Sequence, residues 1–106
     1  MFASIRTYRM EADAVDMLMH RVDRDFAEAL AQEPGFVSYQ CLDLGKGRIA
    51  SMTIFETAEQ SEHSNELAHS WITQELDDVE IHRMGVMGGI VEVSRAKEGL
   101  LEPAHH

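Results

Sequence analysis

The stretch F-V-S-Y-Q-C-L-D-L-G-K-G-R-I-A-S-M-T-I-F-E-T-A-E-Q, residues 36–60, decides the architecture of this chain. Its first nine residues and the run 48–56 are rich in β-branched and aromatic side chains and short on helix formers, so both read as strands. The G-K-G between them supplies glycines on either side of a tip, which suits a tight hairpin with a left-handed residue or a bulge. Thr57-Ala58-Glu59-Gln60 then has the form of a capping box. The hydroxyl and the amide satisfy free N–H groups at a helix start, so a helix is predicted over 58–77.

Working outward, residues 2–10 alternate and read as another strand. Across 13–32 the period changes. Val15, Leu18, Met19, Val22, Phe26, Ala29 and Leu30 recur at three- and four-residue steps, as on one stripe of a helix. Pro34-Gly35 ends that helix and turns the chain. A last strand is predicted over 79–94, where glycines at 85, 88 and 89 signal a bulge, a bend or a close approach by another group. The order β-α-β-β-α-β predicts an α+β, ferredoxin-like fold over residues 1–94. It has a four-stranded antiparallel sheet, with the first and third strands central, and two helices on one face. Residues 95–106 read as a tail, and since its ending L-E-P-A-H-H reads either as native or as partly a purification remnant, His105 and His106 are set aside.

Neither face of this sheet is cleanly polar. In the third strand Ile49 and Phe55 alternate with Ala50, Met52 and Ile54. The last strand carries Met87, Val91 and Val93 against Met84, Val86 and Ile90. A sheet apolar on both faces needs a second cover, and a homodimer with sheets face to face is expected.

The 106 residues fit one domain. Nineteen acidic against nine basic residues give a formal net charge of −10, and the basic residues are scattered. That field repels phosphate backbones and anionic lipid heads, so neither nucleic acid nor a membrane is expected as a partner. Arg21–Asp25 and Arg24–Glu28 have the spacing of helical ion pairs. No apolar run is long enough to span a bilayer, and the N-terminus lacks the apolar stretch of an export signal. With a single cysteine, Cys41, the chain suits a reducing cytoplasm. Nucleophile-elbow, phosphate-loop, dinucleotide and zinc motifs are absent from the sequence.

The run P-G-F-V-S-Y-Q, a strand ending in F-E, and a capped helix with S-N-E-L-A-H-S-W resemble the antibiotic biosynthesis monooxygenase family over residues 2 to about 94. The resemblance implies a dimeric α/β barrel with a pocket in each subunit between helices and sheet. It also implies relatives that oxidise electron-rich substrates with O₂ and need no metal or flavin, and others that bind and degrade haem. The haem degraders use an Asn on the first strand, a Trp on the second helix and a His beyond it. This chain has Trp71, and His82 lies at a roughly comparable separation, but the first strand offers Ser4, Arg6 and Tyr8 and no Asn. Many members place a His one position beyond His63, where this chain has Ser64.

Projected at 100° per residue, Ser61, Ser64, Leu67, Ala68, Trp71 and Ile72 share one arc of the second helix, with Asn65 at its edge. Small groups at one end and a Trp at the other suggest one wall of a ligand cavity, with packing alone as the other reading. Asn65 is placed either to hold a substrate oxygen or to bond backbone at the helix margin. His63 and His69 point to different sides at a spacing unlike a metal pair, so no metal site is expected. Glu75 projects into the arc but lies at the fraying helix end. Arg6, on a central strand covered on both faces, needs acceptors. An ion pair with Glu56, Glu80 or Glu92 is expected, the alternative being a clamp for an acidic or phenolate-like ligand. Tyr8 and Tyr39 are further candidates for the pocket, and Cys41 reads as a small buried hydrophobe. The functional expectation is a monooxygenase without cofactor, acting on a small electron-rich organic molecule. The alternatives are a dimeric domain that binds a small molecule without reacting, and then a haem-binding protein.

Overall fold

A computed structural model describes residues 1–97, so residues 98–106 of the expected tail, His105 and His106 among them, lie outside the described residues. The hairpin of residues 36–60 forms as β2 (Phe36–Gly45) and β3 (Arg48–Phe55). Gly45, Lys46 and Gly47 all have positive φ, at 86°, 57° and 79°, and this left-handed run reverses the chain. Gly47 is constrained twice. Its N-terminal neighbour across the sheet, Met10, donates a 2.8 Å hydrogen bond to its carbonyl, and any Cβ there would overlap the Met10 carbonyl oxygen.

The first strand, β1 (Phe2–Met10), pairs antiparallel with β3 on one side and with β4 (Ile81–Ile90) on the other, giving the order β2-β3-β1-β4. The expected α+β arrangement, with the first and third strands central, is therefore the observed one. Strand β4 is shorter than the 79–94 run. Its partner ends at Phe2, opposite Ile90, so nothing remains for residues 91–94 to pair with beyond one bond from the Val91 N–H to the Met1 carbonyl. Among the glycines of β4, Gly88 faces the Phe2 ring, where a Cβ would lie 2.8 Å from a ring carbon. The register of β4 against β1 slips between Thr7 and Tyr8, next to Gly85, as a bulge does.

Helix 12–31 is continuous but not uniform. A 3₁₀ turn at Ala12–Ala14 leads into α1 (Val15–Arg21), a π-helical turn at Val22–Phe26 and α2 (Ala27–Ala31). Its buried residues are Val15, Leu18, Val22, Phe26 and Leu30, mostly four apart. In a pure α-helix each four-residue step drifts by about 40°, and the wider π turn takes up that rotation, so Leu30 still meets the sheet. Two expectations are corrected. Ala29, expected on the stripe, is exposed, one residue off the four-residue series. The four-apart ion pairs do not form: Arg21 pairs with Asp78 at 3.2 Å and Arg24 with its neighbour Asp25 at 2.8 Å.

The second helix, α3 (Ala58–Glu75), begins with the capping box read from the sequence. Thr57 accepts from the Gln60 N–H and Gln60 from the Thr57 N–H. Arg21 donates to the Glu75 carbonyl, capping the other end, while the Glu75 side chain is exposed.

Both helices pack on the face of the sheet that carries Ile49, Ser51, Thr53 and Phe55 of β3, all buried. The opposite face has no cover in the single chain. It presents Leu42, Ala50, Met52, Ile54, Ile5 and Met87, with Met87 64% and Leu42 49% exposed. Among the described residues no helix is long and apolar enough to cross a membrane.

Candidate functional site

The strongest feature of the covered face is Arg6, in the middle of β1 and only 1% exposed. Alternation along the strand points it at the helices together with Ser4 and Tyr8, and register sets it opposite Ser51 of β3. Its Nη1 donates a 2.7 Å hydrogen bond to the side-chain oxygen of Asn65, which also accepts from the Ser4 hydroxyl at 3.0 Å. Its Nε–H has no acceptor.

The expected ion pair is absent. Among the described residues no carboxylate lies within ion-pair distance of Arg6. Glu56 stands past the end of β3, Glu80 and Glu92 flank β4, and all three are exposed; Glu80 contacts His82 instead. A cation withdrawn from water without a counter-ion is unfavourable by several kcal/mol, and a neutral amide offsets only part of that.

Arg6 lines a partly open cavity of about 40 Å³ between helices and sheet. That is room for roughly three water-sized groups. The floor is Arg6, Tyr8, Tyr39, Cys41 and Ser51, and the roof includes Phe26, Ala68 and Trp71. An aromatic wall runs along it: the Phe26 ring meets Tyr39 edge-on at 5.6 Å and Trp71 at 5.4 Å. Among the described residues of the lining Arg6 is the only charged one. Burial raises the Tyr8 hydroxyl above its usual range, against the opposing pull of Arg6 and Arg83. It raises Tyr39 well above, and it raises the Cys41 thiol against the influence of Tyr39 and Arg6. All three are therefore neutral near pH 7, and the cavity is cationic by one unit.

The candidates named from the sequence separate into two groups. Arg6, Tyr8, Tyr39 and Trp71 line the cavity. Ser61, Ser64 and Asn65 do not: the residues of α3 in the lining are Ala68, Trp71 and Ile72, from a turn further along. Ser61 and Ser64 are buried there, with Ser64 donating to the Ser61 carbonyl at 2.6 Å. Asn65 bonds neither substrate-facing space nor backbone; it holds Arg6. Cys41 and the residues from helix 12–31 belong to the lining although the sequence reading gave them only packing roles, and Ser51, which it gave no role, belongs there too. Their signal was faint: Cys41 and Tyr39 share a strand face, two residues apart. His63 and His69 are exposed, and His63 approaches Glu33 at 3.1 Å. Among the described residues no group of His, Cys, Asp and Glu is arranged to hold a metal ion.

No family model matches the sequence, and no curated protein matches it either. Solved structures do match the fold. A dimeric ferredoxin-like protein from an uncultured marine organism is 13% identical, with a TM-score of 0.63 over 91% of this chain and 98% of that one. A proposed antibiotic biosynthesis monooxygenase from Deinococcus radiodurans is 16% identical, with a TM-score of 0.63 over 93% of this chain and 100% of its own. The haem degrader MhuD of Mycobacterium tuberculosis, solved with two haems in its active site, is 20% identical, with a TM-score of 0.68 over 91% and 100%. The chain thus has the ferredoxin-like fold of antibiotic biosynthesis monooxygenase-like proteins, and at these identities the likeness is one of fold. Haem does not fit this site as it stands. The histidine expected as its ligand is misplaced, because His82 pairs across from Arg9, on the sheet face away from Trp71.

Proposed function

We propose that the chain is a small-molecule oxygenase that uses O₂ directly, with the Arg6 cavity as its site. The observation that carries this reading is a buried cation without a counter-ion, at the floor of an otherwise apolar, aromatic-walled cavity. The substrate class is an electron-rich ring with a hydroxyl and an activated CH₂. Arg6 stabilises the ring oxyanion, lowering the pKa of the bound hydroxyl, and the proton leaves through the open mouth. The anion passes an electron to O₂, the two radicals combine at the activated carbon, and loss of water leaves a carbonyl. The CH₂ becomes C=O, one oxygen atom enters the product and the other leaves as water, so four electrons pass from carbon to O₂. Trp71 and Phe26 hold the hydroxyl-bearing edge of the ring, the remainder lies toward the open mouth, and the apolar roof limits water. Asn65 acts through Arg6 and is a positioning residue.

The test is oxygen consumption with a panel of hydroxylated anthrones and related phenols, in the wild type and in Trp71→Ala. One O₂ consumed per carbonyl formed, with loss in the variant, supports the reading. A second reading has a specific observation in its favour: burial raises every titratable hydroxyl and thiol of the lining, so none is a ready base. On that reading the cavity binds the same molecule without oxidising it.

Pairing with a second copy completes this proposal. The uncovered apolar face centred on Ile5, Met52 and Ile54 has the character of half a core, and a second sheet is the occupant that matches its shape.

A further inference from the structure

The cavity floor is not the only arginine on the way in. An outer groove of about 340 Å³ shares Tyr8, Ile72 and Ile81 with the inner cavity and adds Arg83, His69 and Thr73. Arg83 is paired in register with Tyr8 across β1 and β4, immediately before the slip in that ladder. The slip keeps Arg83 on the helix-covered face while the rest of β4 continues past it, as bulges commonly re-aim a side chain. Among the described residues no carboxylate lies within ion-pair distance of Arg83. The Tyr8 hydroxyl is within electrostatic reach of both guanidinium groups. One cation at the mouth and one at the floor thus mark a single path, in a chain whose net charge is −10.

We infer that this path selects an anion: an apolar, ring-sized body carrying one oxyanion, of the aryl carboxylate or phenolate class. The oxyanion enters past Arg83 and ends on Arg6, where Asn65 holds Nη1 and the unpartnered Nε–H forms, with Nη2 beside it, the side-on fork that an oxyanion accepts. The inner cavity takes the oxyanion and the near edge of the ring, and the groove takes the rest. Arg83 acts first, by drawing anions to the mouth against the repulsion of the whole chain. The inference rests on the cavity being a ligand site but does not require that the ligand react there.

Trp71 is the only tryptophan of the chain and lines the cavity, so its fluorescence reports on occupancy. The experiment titrates the full chain with benzoate against benzamide, and with pentafluorophenolate against pentafluorotoluene. At least one anion is expected to quench Trp71 with an affinity about tenfold or more above its neutral counterpart. The arm that shows the larger ratio identifies the class. Arg6→Met removes the preference, and Arg83→Gln weakens anion binding by roughly threefold while flattening its salt dependence. If Arg6→Met does not fold, Arg83→Gln and Arg6→Lys carry the test. Equal affinity for anions and neutral counterparts, no quenching by either anion, or an anion preference untouched in the folded variants overturns the inference. Anion-selective binding without oxygen consumption leaves the inference standing and sinks the oxygenase. Oxygen consumption without anion preference does the reverse.

Discussion

Arg6 on β1 and Asn65 on α3 are joined by a 2.7 Å hydrogen bond that links residues 59 positions apart, and the acceptor is neutral. An aspartate at position 65 would have neutralised the guanidinium; the asparagine orients it and leaves its charge available. The Asn65→Asp variant should therefore fold at least as stably as the wild type and lose its affinity for benzoate. Asn65→Ala leaves Arg6 and Ser4 without their acceptor and should cost about 1.5–3 kcal/mol. Urea unfolding and Trp71 quenching measured on both variants separate the two effects. An aspartate variant that binds benzoate as tightly as the wild type would contradict this role.

Ile5 lies on the central strand, 37% exposed, on the sheet face that has no cover in the single chain. Ile5→Lys places a charge in the middle of that face. Sedimentation velocity should show a dimer for the wild type and a monomer for the variant at the same concentration. A monomeric wild type, or a variant that still pairs, would refute the second sheet as the occupant.

The capping box joins Thr57 and Gln60 at 3.1 and 3.2 Å, away from the cavity. Thr57→Ala should lower stability by about 1 kcal/mol and leave ligand quenching of Trp71 unchanged. Thermal unfolding and the titration together check both halves. A change in quenching would mean that the start of α3 is coupled to the site.

The element order was legible because each change of period fell beside a recognisable signal: Pro34-Gly35, G-K-G, and the box at Thr57. The face of α3 was legible too, since Ser61, Ser64 and Ala68 are buried on the arc that projection gave them. What that arc touches was not. A helical wheel tells which side of a helix is covered but not which strand residue lies beneath, so the serines were assigned to a cavity that begins one turn further along. The partner of Arg6 was hidden for the same reason. Burial of a cation implies acceptors, but sequence offers glutamates as readily as an amide. The π turn at Val22–Phe26 left no trace in residue types, only in the persistence of four-residue steps.

Burial holds the Tyr39 hydroxyl and the Cys41 thiol above their usual ranges. The folded chain therefore keeps protons that the unfolded chain releases in alkali. Their contribution is complete below the ordinary thiol and phenol values, about 8.5 and 10, and declines as pH rises from there toward the raised folded values. Melting temperature should fall between pH 8 and pH 11 (roughly the span of those values), and less steeply above pH 10 in Tyr39→Phe. A variant with the wild-type slope would remove Tyr39 from this account.

The most direct test of the central claim is isotopic. The purified chain, without added metal or cofactor, is incubated with a hydroxylated anthrone under ¹⁸O₂, and the product is weighed by mass spectrometry. The account predicts one labelled oxygen in the new carbonyl, the second in water, and loss of the reaction in Arg6→Met and Trp71→Ala chains that still fold. Unlabelled carbonyl, or labelled product formed at the same rate by those folded variants, would contradict it.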